Sequence, residues 1–407
     1  MTLDAGAAGR IFREESGRVV AALISMFGDI DLAEDAVQEA FAIALQKWPV
    51  TGVPPNPGGW ITATARNGAI DRLRRDARGA ELVREVAAQA NSARPSSEPF
   101  EKEPVPDDRL RLIFTCCHPA LAARAQVELT LRLVCGLSTA EVAQAFLTSE
   151  PTMAKRLVRT KHKIKTAKIP YRVPEESELP DRLRTVLTTI YLTYTTGQAK
   201  PDAEADLCAE AIWLGRTLRL LMPDDAEVAG LLALMLLTES RRPTRTDAQG
   251  ELVLLRHQDR ERWDRSLVDE GQALVRWCLR RSQPGTYQLQ AAIAAVHADA
   301  ETFQDTDWKQ IFALYDQLMV VAPTPVVALN RAVALGEVHG AEAGLREIDM
   351  LALSDYYPFH AAKAEFLQRQ GRTEEAARAF MVASSLAPNG PEKLFLQQRA
   401  EGRQVSP

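Results

Sequence analysis

The residues of this chain with the clearest potential for chemistry are charged rather than nucleophilic. Between Thr152 and Pro174 the sequence contains eight Lys and Arg residues and no acidic residue. Such a stretch can bind the phosphates of a nucleic acid when it lies on the second helix of a helix-turn-helix. A solvated basic helix face is the plainer alternative, and the surrounding elements decide between the two.

Two helices joined by a short turn must position these cations. Ser138 and Glu141 have the spacing of a capping box, which marks the start of a helix. A turn at residues 147–149 follows, with Ser149 as the N-cap of the next helix and Pro151 tolerated in its first turn. The apolar residues expected to face inward on this second helix are Met153, Leu157, Val158 and Ile164. The pattern is that of a helix-turn-helix and favours DNA contact.

A second charged pattern lies nearer the N-terminus. Between Asp31 and Trp48 the apolar residues form one stripe of a helix, and the opposite face is acidic. A loop rich in Gly and Pro follows at residues 49–59, and then a helix that ends in basic residues at 61–78. On these patterns alone, an ordinary amphipathic helical hairpin is the simplest interpretation.

The order of these features resembles region 2 of the extracytoplasmic-function sigma factors, which belong to the sigma-70 family. The resemblance is carried by Asp35, Ala36, Gln38, Glu39, Phe41, Trp60, Ile61, Ala65, Arg66, Asn67, Asp71, Arg72, Leu73 and Arg74. It implies that the acidic helix binds core RNA polymerase, and that the loop and the basic helix receive the melted minus-10 promoter element. The residues it implies for polymerase binding are Asp35, Gln38 and Glu39. Those it implies for the minus-10 element are Arg66, Asn67, Arg72, Arg74 and Arg75.

The segment from Leu110 to Phe146 resembles region 4 of the same family, which reads the minus-35 promoter element as duplex DNA. The basic helix that follows it would then be the recognition helix. By this resemblance the residues nearest the DNA are Thr152, Lys155, Arg156, Arg159 and Lys163.

Apolar residues recur at helical spacing almost throughout, so the predicted fold class is all-α. We expect two small helical sigma domains followed by an α-helical domain that resembles tetratricopeptide (TPR) repeats. Composition places the boundaries, because residues 92–106 are rich in Pro, Ser and Glu and residues 170–180 combine prolines with acids. The predicted domains are residues 1–91 for region 2, 107–169 for region 4 and 181–407 for the C-terminal domain, with linkers at 92–106 and 170–180.

The C-terminal domain carries one good repeat pattern near its end. The residues at TPR positions are Ala364, Leu367, Gly371, Ala376, Phe380, Ala383 and Pro388. Taken whole, the chain resembles the subgroup of these sigma factors with a C-terminal TPR-like extension, which we expect to modulate activity. An earlier segment is dense in polar groups beside an aromatic residue, and could be a salt-bridged helix surface or a ligand or partner site. Its residues are His257, Asp259, Arg260, Arg262 and Trp263.

Charge and composition limit the partners. Residues 1–174 carry 24 basic and 20 acidic residues, whereas residues 175–407 carry 25 and 34, so we expect an intramolecular contact between the two halves. The five cysteines show no CxxC spacing, so neither a disulfide framework nor a metal site is expected. With no apolar span and no signal peptide, the expected location is the cytoplasm and no membrane partner is expected.

No motif in the sequence indicates catalysis, since HExxH, GxSxG and a Gly-rich phosphate loop are all lacking. We therefore expect no enzyme and no cofactor. The main rival interpretation is a helix-turn-helix regulator with a TPR sensor that acts without polymerase. It leaves the acidic helix and the loop after it unexplained, and a TPR scaffold protein leaves the basic helix unexplained.

Overall fold

The computed structural model describes residues 5–75, 107–198, 206–247, 250–387 and 390–402. These ranges contain eighteen α-helices and three short 3-10 turns, and their β-structure is limited to one isolated bridge between Thr246 and Leu252. The predicted all-α class is therefore confirmed. The chain divides into two compact units, Met1–Leu221 and Met222–Pro407. The predicted linker at residues 92–106 lies outside the described residues.

The first unit begins with three helices, α1 (Ala5–Phe27), α2 (Ile30–Thr51) and α3 (Pro57–Arg75). Helix α2 starts at Asp29, whose side chain accepts a hydrogen bond from the Leu32 amide at 3.0 Å. The predicted apolar stripe of α2 is buried between α1 and α3, except for Leu45, which was predicted to belong to it but is 57% exposed. Its buried residues are Ala33, Ala36, Val37, Ala40, Phe41, Ala44 and Trp48. Burial of this stripe leaves the acidic side of α2 outside the three-helix core.

Four helices follow, α4 (Asp107–Cys116), α5 (Ala123–Leu133), α6 (Thr139–Ala145) and α7 (Glu150–Thr166). The predicted capping box is present, because the Glu141 amide donates to Ser138 at 3.1 Å and the Ser138 amide donates to Glu141 at 2.7 Å. Helices α6 and α7 pack against each other as a helix-turn-helix. The prediction that Val158 faces inward is wrong, since this side chain is 61% exposed while Leu157 beside it is buried.

Two more helices belong to the first unit, α8 (Leu179–Gln198) and α9 (Leu207–Leu221). Helix α8 packs on α4 and α5, and its Arg182 donates to the Phe114 carbonyl at 2.7 Å. Tyr171 precedes it, with its hydroxyl 2.8 Å from the Ala21 carbonyl oxygen. The sequence predicts a linker at residues 170–180 and a third domain from residue 181. In the structure, the prolines and acids of 170–180 follow the end of α7, and α8 and α9 pack within the same compact unit.

The described residues of the second unit contain nine α-helices. These are α10 (Ala226–Glu239), α11 (Arg265–Leu279), α12 (Thr286–Asp299), α13 (Trp308–Val321), α14 (Pro325–His339), α15 (Ala341–Asp349), α16 (Tyr357–Arg369), α17 (Thr373–Leu386) and α18 (Pro391–Ala400). Helix α10 is buried on most sides and packs against α11 and α12. The helices from α13 onward pack mainly against their neighbours in sequence.

The residues of the predicted repeat lie in one hydrophobic core of α14 to α18. Ala364, Leu367, Ala376, Phe380 and Ala383 are all buried in it. Small residues allow α14 and α15 to approach the Phe366 ring, because a Cβ added at Gly336 would lie 2.3 Å from that ring and one at Gly344 2.7 Å. Pro388 lies outside the described residues. The helix pairing agrees with the predicted pattern, and the TPR assignment itself stays a prediction.

Candidate nucleic-acid interface

The outer face of α7 presents cations on a rigid support. The inner residues Met153, Leu157 and Ile164 are buried against the rest of the first unit. The predicted DNA-facing residues that are exposed are Thr152, Lys155, Arg159 and Lys163. The last three form no ion pair with any other described residue. This surface is suited to the phosphates of duplex DNA.

Arg156 differs from the other α7 cations predicted to contact DNA, because its guanidinium pairs with a carboxylate of another helix. Its Nη1 lies 3.1 Å from Oε1 of Glu128, on α5. The Glu128 side chain is only 3% exposed and also accepts from Arg124 at 2.9 Å. A carboxylate this deeply buried needs cationic partners to offset its lost hydration. Arg156 therefore fixes α7 to α5, whereas the sequence predicts it to contact DNA.

The inner edge of α7 faces the acidic helix α2. Nζ of Lys161 lies 2.5 Å from Asp31 and 3.0 Å from Glu34. Glu34 also receives Arg132 of α5, whose Nη2 lies 2.5 Å from Oε1 of Glu34. Burial lowers the pKa of Lys161, but Glu34 and Asp31 outweigh it and the pKa lies above its ordinary value. Lys161 is thus held in its charged form between two carboxylates.

The residues predicted to bind polymerase lie together on α2. Asp35, Gln38 and Glu39 are all exposed on the face opposite the buried stripe. Asp35 pairs with Arg72 of α3 at 2.6 Å, and the Gln38 side-chain amide donates to Glu34 at 3.3 Å. The face remains accessible, although its edge at Glu34 is covered by α5 and α7.

The basic end of α3 carries the residues predicted to bind the minus-10 element. Those that are exposed are Asn67, Arg72, Arg74 and Arg75. Arg66 is half-buried, and its Nε atom has no hydrogen-bond partner among the described residues. Trp48 of α2 and Trp60 of α3, on either side of the loop in sequence, contact each other with their ring centroids 5.4 Å apart. Arg72 and its neighbours therefore lie at the end of a helix whose start is anchored in the core.

Two residues of the polar segment around Trp263 are buried and form hydrogen bonds within the second unit. Arg260 is 5% exposed and donates to the carbonyls of His297 at 2.7 Å and Ala300 at 2.8 Å. The indole of Trp263 is 3% exposed and donates to Thr244 at 3.1 Å. The segment forms 3-10 turns rather than the predicted helix surface. Of the predicted ligand-site residues, a ligand would reach only His257, Asp259 and Arg262.

His297 is a titratable group that the sequence did not single out. Its Nδ1 atom is buried with no partner among the described residues, and its ring packs edge-on against Trp308 at 5.2 Å. Burial, with further contributions from Arg241 and Arg260, lowers the pKa of His297 to about 4. The ring is therefore neutral at neutral pH.

The ion-pair network of Asp31, Glu34, Arg132 and Lys161 is also absent from the sequence prediction. Glu34 and Lys161 are 127 positions apart, so no local spacing connects them. The available signal is limited to complementary charge on two amphipathic helices, which many surface helices share. Within the described residues, no group of His, Cys, Asp and Glu could hold a metal ion, and no helix is long and apolar enough to cross a membrane.

Comparison with known proteins assigns these elements to families. Residues 11–79 match Sigma-70 region 2, and residues 111–164 match Sigma-70 region 4. Residues 182–279 match a family of unknown function, DUF6596. An uncharacterized protein of Rhizobium meliloti (strain 1021) is 40% identical over 398 residues, which cover 96% of this chain and 94% of that protein. No solved structure matches the chain.

Proposed function

The chain belongs to the sigma-70 family, as a factor of the extracytoplasmic-function type with a C-terminal extension, and we propose that it binds core RNA polymerase and directs it to specific promoters. A role in transcription initiation follows from the family. The partners proposed are core RNA polymerase and promoter DNA. The observation that carries the proposal is the presence, in one compact unit, of an exposed acidic helix face and a capped helix-turn-helix with exposed cations.

In this proposal the acidic face of α2 binds polymerase through Asp35, Gln38 and Glu39. Removal of the Asp35 and Glu39 carboxylates from water is favourable only against a complementary basic surface. The basic end of α3 then receives the opened minus-10 strand, for which cations beside the phosphates are suitable. These parts act by binding and positioning, and we propose no catalytic group of the chain's own.

Helix α7 is proposed to read the minus-35 element in the major groove. Lys155 and Arg159 are the leading candidates because both are exposed on the outer face. Thr152 lies at the N-terminal end of the helix, where base contacts are usual in this motif. Arg156 is proposed to position the helix through Glu128.

We propose that the C-terminal extension modulates this activity. Support comes from its first two helices, α8 and α9, which pack within the first unit next to the helix-turn-helix domain. A change in the extension can therefore be transmitted to α4 and α5 by direct contact.

The proposal is tested by size-exclusion chromatography of the full chain with purified core RNA polymerase. We expect the chain to co-elute with the polymerase at equal stoichiometry. This co-elution should be lost when a known sigma factor is added in excess. A helix-turn-helix regulator that acts without polymerase would bind duplex DNA and elute separately from the enzyme.

A further inference from the structure

A cavity of about 360 Å³ lies within the second unit, between the end of α11, the loop at residues 280–285, the first half of α12 and α13. Its walls are largely apolar. Val275 of α11 and Leu289 and Ala292 of α12 are 7%, 4% and 8% exposed, and Leu314 of α13 also lines the cavity. Cavities of about 300–1,000 Å³ with apolar walls and a few polar groups are usual for small-molecule sites.

The residues that line this cavity carry no charge. Its polar members are all neutral, and they are Cys278, Ser282, Gln283, Gln288 and Gln317. An ionised ligand would lose its hydration here without a counter-charge in the wall, which is costly. The lining therefore favours a neutral molecule that is mostly apolar.

Gln288 supplies one hydrogen-bond acceptor in a fixed orientation. The residue is 9% exposed, and its Nε2 donates to Oε1 of Glu227 at 3.2 Å and to the Gln283 carbonyl at 2.9 Å. Because both of these partners are acceptors, the amide nitrogen must face them and Oε1 must point away from them. Oε1 accepts no hydrogen bond from another described residue. A ligand hydroxyl or N–H group can supply the missing donor.

The loop at the mouth of the cavity is held by its own contacts. Nη2 of Arg281 lies 3.0 Å from Oδ1 of Asp224, and the Arg281 guanidinium lies 3.8 Å from the centroid of the Trp277 ring. Ser282 has a φ of 52°, in the left-handed region that residues other than glycine rarely adopt. Such backbone geometry is often found beside ligands, and a loop already fixed loses little conformational entropy on binding.

We propose that this cavity binds a neutral, largely apolar small molecule that donates one hydrogen bond, from an O–H or N–H group, to Oε1 of Gln288. The second unit belongs to the extension that is proposed to modulate transcription. The role of the bound molecule as an effector of transcription rests on that proposed function, whereas the binding itself does not.

Three naphthalene derivatives test the chemistry of the cavity. 1-Naphthol is neutral and has one O–H donor, 1-methoxynaphthalene lacks the donor, and 1-naphthoate is an anion at neutral pH. Isothermal titration calorimetry with the full chain, without polymerase, should show saturable binding of 1-naphthol. 1-Methoxynaphthalene should bind roughly twofold to tenfold more weakly, as expected for the loss of one neutral hydrogen bond. 1-Naphthoate should bind about tenfold more weakly or worse, because its charge has no partner in the wall.

Two variants with matched controls test whether the binding occurs in this cavity. Ala292→Leu should weaken 1-naphthol binding by about tenfold or more, because the added side chain occupies the space of the ligand. Ala273→Leu makes the same change at an exposed position of α11 outside the cavity, and its affinity should be unchanged. Gln288→Leu should make the affinities for 1-naphthol and 1-methoxynaphthalene equal, whereas Gln290→Leu, beside the cavity lining on α12, should preserve their difference.

Urea unfolding establishes that each variant is folded. The proposal is overturned if 1-naphthol does not bind the unsubstituted chain, if 1-naphthoate binds equally well, or if folded Ala292→Leu and Ala273→Leu bind 1-naphthol alike. If Gln288→Leu does not fold, the two neutral probes on the unsubstituted chain still test the acceptor, and equal affinities refute it. Because polymerase is absent from these titrations, a chain that binds 1-naphthol but not polymerase refutes the proposed function alone.

Discussion

Lys161 of the recognition helix lies 3.0 Å from Glu34 of the acidic helix, across 127 positions of sequence. A residue of the helix proposed to read the promoter and a residue beside the proposed polymerase site are thus partners. The first prediction concerns the exposed acids beside Glu34, which carry the proposed polymerase contact.

Reversal of charge at Asp35 and Glu39 should weaken binding to core RNA polymerase by roughly tenfold or more. Both carboxylates are exposed on α2, and reversed charges repel a surface that had been complementary. The measurement is a pull-down titration with the folded double variant. Glu342→Lys combined with Glu374→Lys makes the same charge change on the exposed surface of the second unit, and binding should be unaffected. Equal affinity for both double variants would contradict the assignment.

The two central arginines of α7 should behave differently. Arg159→Ala should flatten the salt dependence of DNA binding by about 0.9 log units for the lost phosphate contact. The sequence predicts the same for Arg156, but Arg156→Ala should mainly lower the free energy of unfolding, by about 1–3 kcal/mol, because buried Glu128 loses a cation. Urea unfolding and DNA titrations at several salt concentrations distinguish the two. If Arg156→Ala flattens the salt dependence by about 0.9 log units and leaves the free energy of unfolding unchanged, this division is overturned.

The second unit should lose stability as the pH falls. The pKa of His297 is lowered to about 4 from 6.5, so between these values the unfolded chain binds more protons than the folded one. The free energy of unfolding should therefore fall by up to about 3 kcal/mol from pH 6.5 to pH 4. His297→Asn should reduce this dependence in urea unfolding series. His257→Asn, at an exposed position, should preserve it, and identical pH profiles for both variants would count against the burial of His297.

The stability of a truncated chain should depend on whether it contains the whole first compact unit. A chain that ends at Pro174 loses α8 and α9, which exposes the faces of α4 and α5 that contact Arg182 and Thr189. This fragment should have a lower melting temperature than a fragment that ends at Leu221, and it should give no transcript with core RNA polymerase in vitro. A chain that ends at Leu221 should unfold cooperatively and bind polymerase as the full chain does. Full transcription from the shorter fragment would show that the extension is dispensable.

The local elements of the fold could be predicted from sequence because their signals are local. The capping box at Ser138 and Glu141 and the apolar stripe of α2 depend on neighbours within a few residues. Val158 was predicted to face inward, but it is exposed. Adjacent residues of a helix point in different directions, and at this edge of α7 Leu157 is buried whereas Val158 faces outward.

Long-range contacts could not be predicted in the same way. Arg156 and Arg159 are both arginines of the same basic helix, so the sequence predicts the same role for them. Their roles differ because Glu128, on another helix, lies beside Arg156. Trp263 and Arg260 suggested a surface site, but both are buried. Arg260 donates to carbonyls at the end of α12, and Trp263 donates to Thr244. The same limit applies to the partners of Lys161.

Run-off transcription tests the central claim most directly. Purified core RNA polymerase would be supplied with the full chain and with fragments of the source genome. We expect discrete transcripts that require the protein, arise from defined start sites and disappear with the Asp35 and Glu39 double reversal. Binding of the protein to duplex DNA without any protein-dependent transcript would contradict a role as a sigma factor.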